Sequence, residues 1–280
     1  MMLLLDSGNS RLKLALLSTG GLENLGSMDY AALRDEGWFD RVAGDPGRIR
    51  RVAVASVAGP ARDRELAAAL ARTGVPDPEF AKVEARACGV SCAYPEPERM
   101  GVDRWVALLG ARALGTRPVC VADAGSALTV DALDAQGAHL GGMIAPGLAM
   151  MRASLLSGTG NLEAFSSGSR DVTGPLFAAD TRPAIEMGAR EAAAGLVERA
   201  LWAVAEHTGA SPDLLITGGD GKALSDALGG GSAPRWTPTP RSVRIEPDLA
   251  FLGLARLVLS TSGDILPDGP LLPTVAPPSD

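Results

Sequence analysis

Two short stretches of this 280-residue chain repeat one arrangement of side chains, Asp6-Ser7-Gly8-Asn9 and Asp123-Ala124-Gly125-Ser126. In each, an aspartate, a small residue, a glycine and a small polar residue follow an apolar run. A glycine just past a strand end lets backbone amides come close to phosphate oxygens, because no side chain stands in the way. Asn9, Ser10, Ser126 and Thr129 add neutral donors, and Lys13 is a point charge able to reach back to the same phosphates. Aspartates cannot face phosphate at neutral pH without positive charge between them. Asp6 and Asp123 therefore imply metal ions, magnesium with a nucleotide and a further cation. Between the two stretches stands Asp103-Arg104. A carboxylate can take the proton of an alcohol attacking a γ-phosphate, and a neighbouring guanidinium offers a two-pronged donor to a substrate carboxylate. Alone, that pair reads first as a charge at a helix start with a solvated neighbour.

The elements that must hold these residues follow from periodicity. Met2–Leu5 is a strand ending at Asp6, and Leu12, Leu14 and Leu16 alternate with Arg11, Lys13 and Ala15 as its antiparallel return. A turn at Thr19-Gly20-Gly21 leads towards a third strand. Arg51–Val57 is a buried strand, Ala61–Arg72 a helix, and Phe80–Val83 a short strand. Prolines exclude helix interior at Tyr94-Pro95-Glu96-Pro97, and a helix opens after Met100-Gly101 and runs over Val102–Leu114. The pattern then restarts. Val119–Ala122 is a strand ending at Asp123, Leu128–Leu133 its return, and Ala138–Ile144 the third strand. Gly147 leads into a helix through Leu156, a long helix runs from Thr181 to His207, and Asp213–Thr217 is another strand before Gly218-Gly219-Asp220-Gly221. Pro247–Leu259 closes the fold. One aspartate-glycine hairpin is a weak signal. Two copies, each opening a three-strand meander followed by strand–helix units, point to an internal duplication. The expected architecture is α/β, with a lobe over residues 1–115, a second over 116–263, and a loose tail over 264–280 that holds five prolines.

Composition narrows the partners. A net charge of −7 disfavours a generic nucleic-acid binder, which concentrates lysine and arginine, while leaving room for a small anionic ligand. The three cysteines form no CxxC pair and read as free thiols of a reducing compartment. The start has no basic segment ahead of its short apolar run, and no stretch of about 18 apolar residues occurs. The expectation is a cytoplasmic protein with neither membrane nor nucleic acid as partner.

Duplicated lobes with facing loops of this kind resemble the actin, hexokinase and Hsp70 superfamily, in which ATP lies in the cleft between the lobes. Within it, five blocks resemble type III pantothenate kinases: Asp6–Lys13, Tyr94–Arg104, Asp123–Thr129, Gly141–Gly147 and Thr181–Gly188. Met100 stands where that family usually has leucine, and Ser126 where it has threonine. Both keep the needed chemistry. The resemblance implies ATP-dependent phosphorylation of pantothenate, the first step towards coenzyme A, by a homodimer that uses potassium or ammonium. It also implies residue roles. Asp103 is the general base and Asp123 the monovalent-cation ligand. Asp6, Ser7, Gly8, Asn9, Ser10, Arg11, Leu12, Lys13 and Ser126 contact ATP. Tyr94, Gly101, Val102, Asp103, Arg104 and Thr181 contact pantothenate, with Thr181 completing the pocket of the neighbouring subunit. Acetate kinases, sugar kinases and exopolyphosphatases share this fold, and a phosphatase, with water in place of the alcohol, would not need Arg104 beside the base. A regulator that had lost catalysis is expected to lack Asp103 or Lys13, and this chain has both.

Overall fold

Every residue of Met2–Ser7, strand β1, is buried, as befits a near-continuous apolar run at the centre of a sheet. The computed structural model describes residues 1–158, 176–229 and 239–262; the proline-rich 264–280 lies outside them. Around β1 the chain adds β2 (Leu12–Ser18), β3 (Gly21–Met28), β4 (Arg51–Ser56) and β5 (Pro78–Phe80) in the order β3-β2-β1-β4-β5. The first three are antiparallel, and β4 and β5 run parallel to β1. Leu3 and Leu5 pack with Leu12, Leu14, Val52 and Val54 against Phe39 of α1 (Trp38–Ala43) and Leu66 and Leu70 of α2 (Pro60–Ala71). Leu4 points to the opposite face by strand alternation and is equally buried. That face is covered by α3 (Val102–Leu114) and by a helix from the C-terminal end of the described chain, Leu249–Ser262.

That last helix corrects the lobe boundaries read from the sequence. The first compact unit comprises Met1–Thr116 and then the chain from Asp248, and the second Arg117–Pro247. The helix from Leu249 therefore completes the first unit rather than the second. Two glycines make its seat. A Cβ on Gly253 would lie 1.7 Å from the carbonyl oxygen of Val106, and one on Gly110 2.1 Å from that of Leu249. Only bare backbone lets these helices approach so closely. The fifth strand also moves, from Phe80–Val83 to Pro78–Phe80, where Arg51 donates two hydrogen bonds at 2.9 and 2.8 Å to Glu79. That guanidinium holds the Glu79 carboxyl below its usual range.

The second unit repeats the plan. A small hairpin of β6 (Arg86–Ala87) and β7 (Val90–Ser91) precedes it in the chain and belongs to the first unit. In the second sheet β8 (Val119–Ala124), β9 (Ala127–Leu133), β10 (His139–Pro146), β11 (Asp213–Thr217) and β12 (Val243–Ile245) take the order β10-β9-β8-β11-β12, position for position that of the first sheet. Its core joins Cys120, Ala122, Leu128, Val130 and Ile216 to Ala193 and Val197 of a 28-residue helix, Thr181–Thr208. The helices from Leu148 (α4, Leu148–Gly158), Thr181 (α5) and Gly221 (α6, Gly221–Ala227) belong to this unit, so the one from Leu249 is α7. The duplication read from two short motifs is thus a duplication of whole sheets. No described helix is long and apolar enough to cross a membrane.

Candidate functional site

The first loop is the four-residue connection Gly8–Arg11 between the paired residues Ser7 and Leu12. Gly8 N donates to Arg11 O at 3.2 Å and closes the turn, while Ser7 O accepts from Val57 N at 3.0 Å. Asn9, Ser10 and Arg11 are exposed; Asp6, Ser7 and Leu12 are buried beneath them. Across the strands Asp6 faces Lys13, whose Nζ lies 2.9 Å from Asp6 Oδ2. The positive charge that the sequence demanded beside Asp6 is therefore supplied in part by the protein. Behind the loop stands Tyr30, on a 3-10 turn (Tyr30–Arg34) that periodicity did not reveal. Its hydroxyl donates to Gly8 O at 2.5 Å and lies 2.9 Å from Ser7 Oγ, with the Arg62 guanidinium 4.0 Å over its ring. Burial raises the Tyr30 pKa above its ordinary value, so the hydroxyl keeps its proton.

In the same unit, α3 starts at Gly101 as N-cap, which sets Asp103 in its first turn, where the helix N-terminus stabilises negative charge. Asp103 Oδ1 accepts from the Arg104 backbone N–H at 2.8 Å. A Cβ on Gly101 would lie 2.6 Å from that same oxygen, so glycine is what leaves the carboxylate its place. Arg104 is buried, and its guanidinium donates to Tyr94 OH at 3.0 Å while lying 5.8 Å from the centre of the Tyr94 ring. A buried guanidinium is stable only when partnered, and here the first partner is the tyrosine named from the sequence. Met100, buried, closes the turn below, with Cys92 Sγ 3.8 Å from its sulfur. Tyr94, Gly101, Val102, Asp103 and Arg104 are thus one local assembly around the start of α3.

The second unit holds the remaining residues. Between the paired residues Ala124 and Leu128 only three residues intervene, Gly125–Ala127, one fewer than in the first loop. The shorter connection shifts the register, so the residue opposite Asp123 is Thr129, a hydroxyl in place of Lys13's ammonium. Gly147 N donates to Ser126 O at 3.1 Å and ties the loop to the start of α4. Gly218, which the sequence reading left outside the site, sits against it at φ +90°; a Cβ there would lie 2.4 Å from Asp123 Oδ1 and 2.5 Å from Ala124 O. Asp220 N donates to Ala124 O at 2.9 Å. A carboxylate oxygen and a carbonyl oxygen thus border a space that any side chain would fill. Thr181 is exposed at the first position of α5, and the cap is Asp180, whose Oδ1 accepts from Arg182 N at 3.0 Å. Glu186, buried one turn on, pairs with Arg152 of α4 at 3.0 Å. Neither member of that pair was singled out in the sequence, because their contact spans 34 residues.

The sequence pattern of a family described as type III pantothenate kinase matches residues 2–203. A protein of that description from Halorhodospira halophila is 37% identical over 247 residues, spanning 86% of this chain and 93% of its own length. One from Nitrosococcus oceani is 34% identical and spans 94% and 95%. Among solved structures, a Campylobacter jejuni protein described as a Baf family transcriptional activator superposes with a TM-score of 0.55 at 19% identity, covering 93% of this chain and 99% of that one. A Sinorhizobium meliloti protein described as a 2-dehydro-3-deoxygalactonokinase gives 0.52 at 17% identity, over 93% and 99%. At such identities the two structures speak for the fold alone. What they share with this chain is the two-sheet α/β architecture described above.

Proposed function

The chain belongs to the type III pantothenate kinase family, and on that premise we propose that it transfers the γ-phosphate of ATP to the primary hydroxyl of pantothenate with Asp103 as general base. The observation that carries this reading is the assembly at the start of α3. Asp103 is held by the Arg104 amide against a glycine that leaves it room, and the buried Arg104 is aligned by Tyr94. An alcohol attacking a phosphoryl group needs a carboxylate to receive its proton, and positioning does most of the remaining work. Arg104 presents its fork to the pantothenate carboxylate, a match that lysine cannot make.

The loop Asp6–Lys13 takes the triphosphate, with its amides and with the Lys13 ammonium, which is 42% exposed and able to divide its charge between Asp6 and phosphate. Magnesium bound with the nucleotide would have Asp6 as the nearby carboxylate and would supply positive charge to the phosphates. Ser126 adds a hydroxyl donor to ATP. For potassium or ammonium the donors fit. Asp123 and the Ala124 carbonyl are hard oxygens, and Thr129 rather than a lysine faces the aspartate. Such an ion supplies positive charge where a carboxylate and a phosphate would otherwise repel.

A homodimer accounts for the surface of the second unit. Ile144, Met150, Leu155 and Phe177 are exposed, Phe177 to 87%. Exposure of several large apolar side chains on this unit supports an interface there, and Thr181 lies four residues beyond Phe177. The decisive assay offers ATP with pantothenate, with hexoses or with acetate and follows ADP release. Pantothenate alone is expected to stimulate it, and stimulation by a sugar or acetate with none by pantothenate overturns the assignment.

A further inference from the structure

We infer that the Tyr30 hydroxyl is a positioning group for nucleotide binding: by holding Gly8 O it turns the following peptide so that the Asn9 N–H faces the phosphates. The inference rests on the reading of Gly8–Arg11 as the triphosphate loop. Its physical basis is the planarity of the trans peptide, in which a carbonyl and the next N–H point in opposite directions. Gly8 O is drawn inward by a 2.5 Å hydrogen bond from Tyr30, a residue only 5% exposed. The Asn9 N–H on the same peptide therefore points outward, to the side on which Asn9 is exposed. The two flanking groups are already committed, Gly8 N to Arg11 O and Ser7 O to Val57 N. The Gly8–Asn9 peptide is thus the part of the loop whose orientation Tyr30 decides. A glycine on one side of a peptide makes rotation of that peptide easy, so without the hydroxyl the carbonyl can turn outward and present an acceptor to phosphate, which repels it.

The hydroxyl is itself held in place. Ser7 Oγ, fully buried, lies 2.9 Å from it; the Arg62 guanidinium, 4.0 Å over the ring, packs on the ring face instead. Burial raises the Tyr30 pKa above its ordinary value, so the phenol stays a donor at neutral pH. Tyr30 touches neither nucleotide nor substrate in this account; it acts through Gly8. The second loop is one residue shorter and its glycine is bonded differently, Gly125 N to Ala127 O at 3.0 Å.

The test is Tyr30→Phe, which keeps the ring and its stacking and deletes one oxygen. ATP dissociation constants by calorimetry and KM for both substrates are compared with wild type. A lost hydrogen bond of this kind predicts a rise of about 3- to 15-fold in Kd and KM for ATP, with KM for pantothenate unchanged. Arg62→Ala, which leaves the hydroxyl, is expected to hold ATP affinity within about twofold. Unchanged ATP affinity in a folded Tyr30→Phe protein overturns the inference, and so does an equal loss in Arg62→Ala, which would assign the effect to packing. Lys13→Ala separates this failure from a deeper one. If it weakens ATP binding while Tyr30→Phe does not, only the role of Tyr30 falls; if neither does, the loop assignment falls with it. Should Tyr30→Phe not fold, the wild-type Asn9 amide resonance is followed during ADP titration. A downfield shift supports the inference, and an unmoved Asn9 amide beside shifted neighbours refutes it.

Discussion

Replacing Gly101 with alanine places a methyl group 2.6 Å from Asp103 Oδ1, against nothing else closer than 3.7 Å. The backbone there, φ −61° and ψ 129°, suits alanine as well as glycine. The fold therefore loses only the small difference between the two residues at an N-cap, under about 1 kcal/mol. The carboxylate has no such latitude. It must swing away from the methyl and give up the bond it accepts from Arg104 N at 2.8 Å. Hydrogen bonds to a charged group contribute about 1.5–3 kcal/mol, and each 1.36 kcal/mol is tenfold in rate. The expected result is a kcat about 10- to 100-fold lower, KM for ATP unchanged, and a melting temperature within a few degrees of wild type. Coupled ADP-release kinetics and a thermal melt measure all three. Because the effect passes through one carboxylate, adding Gly101→Ala to Asp103→Asn is expected to cost nothing further. Wild-type turnover in Gly101→Ala, or full additivity with Asp103→Asn, refutes the reasoning.

The second unit supplies three more tests. Turnover is expected to rise with potassium or ammonium and stay low in sodium, and Gly218→Ala, whose methyl would meet Asp123 Oδ1 at 2.4 Å, is expected to need at least roughly tenfold more of the ion; equal rates in all salts count against Asp123 as its ligand. Co-refolding Asp103→Asn with Thr181→Arg is expected to restore about a quarter of wild-type activity, since half of randomly paired dimers are mixed and each holds one intact site. No recovery from proteins shown to pair removes Thr181 from the partner's pocket. Burial pushes the Cys120 thiol from 9.0 up to about 12. The stability gained by keeping it neutral is thus complete below the unfolded value and declines as pH rises towards 12. Guanidinium midpoints are expected to fall more between about pH 9 and 11 for wild type than for Cys120→Ala; parallel decline refutes it.

Much of this was written locally. The two loops lie between strands whose apolar alternation and turn residues are contiguous in sequence, so their pairing is legible from the residues alone. Gly101, Asp103 and Arg104 sit within one helical turn and are legible for the same reason. What escaped depends on distance. Tyr30 reaches Gly8 across 22 residues from a 3-10 turn without periodicity. The return of α7 to the first unit rests on Gly110 and Gly253, far apart in the chain and unremarkable within their helices. Nor could spacing reveal that the loops differ by one residue in their connections, which is what pairs Asp6 with Lys13 and Asp123 with Thr129. Thr181 opens α5, and the residue that caps the helix is its neighbour Asp180.

The central claim, that Asp103 takes the proton of the pantothenate hydroxyl, is tested most directly by steady-state ADP release from Asp103→Asn alongside its ATP dissociation constant. Asparagine keeps the shape and still accepts from Arg104 N, but cannot receive the proton. The account predicts a kcat lower by about 10²- to 10⁴-fold with ATP affinity within about twofold of wild type. Turnover near that of wild type would contradict it.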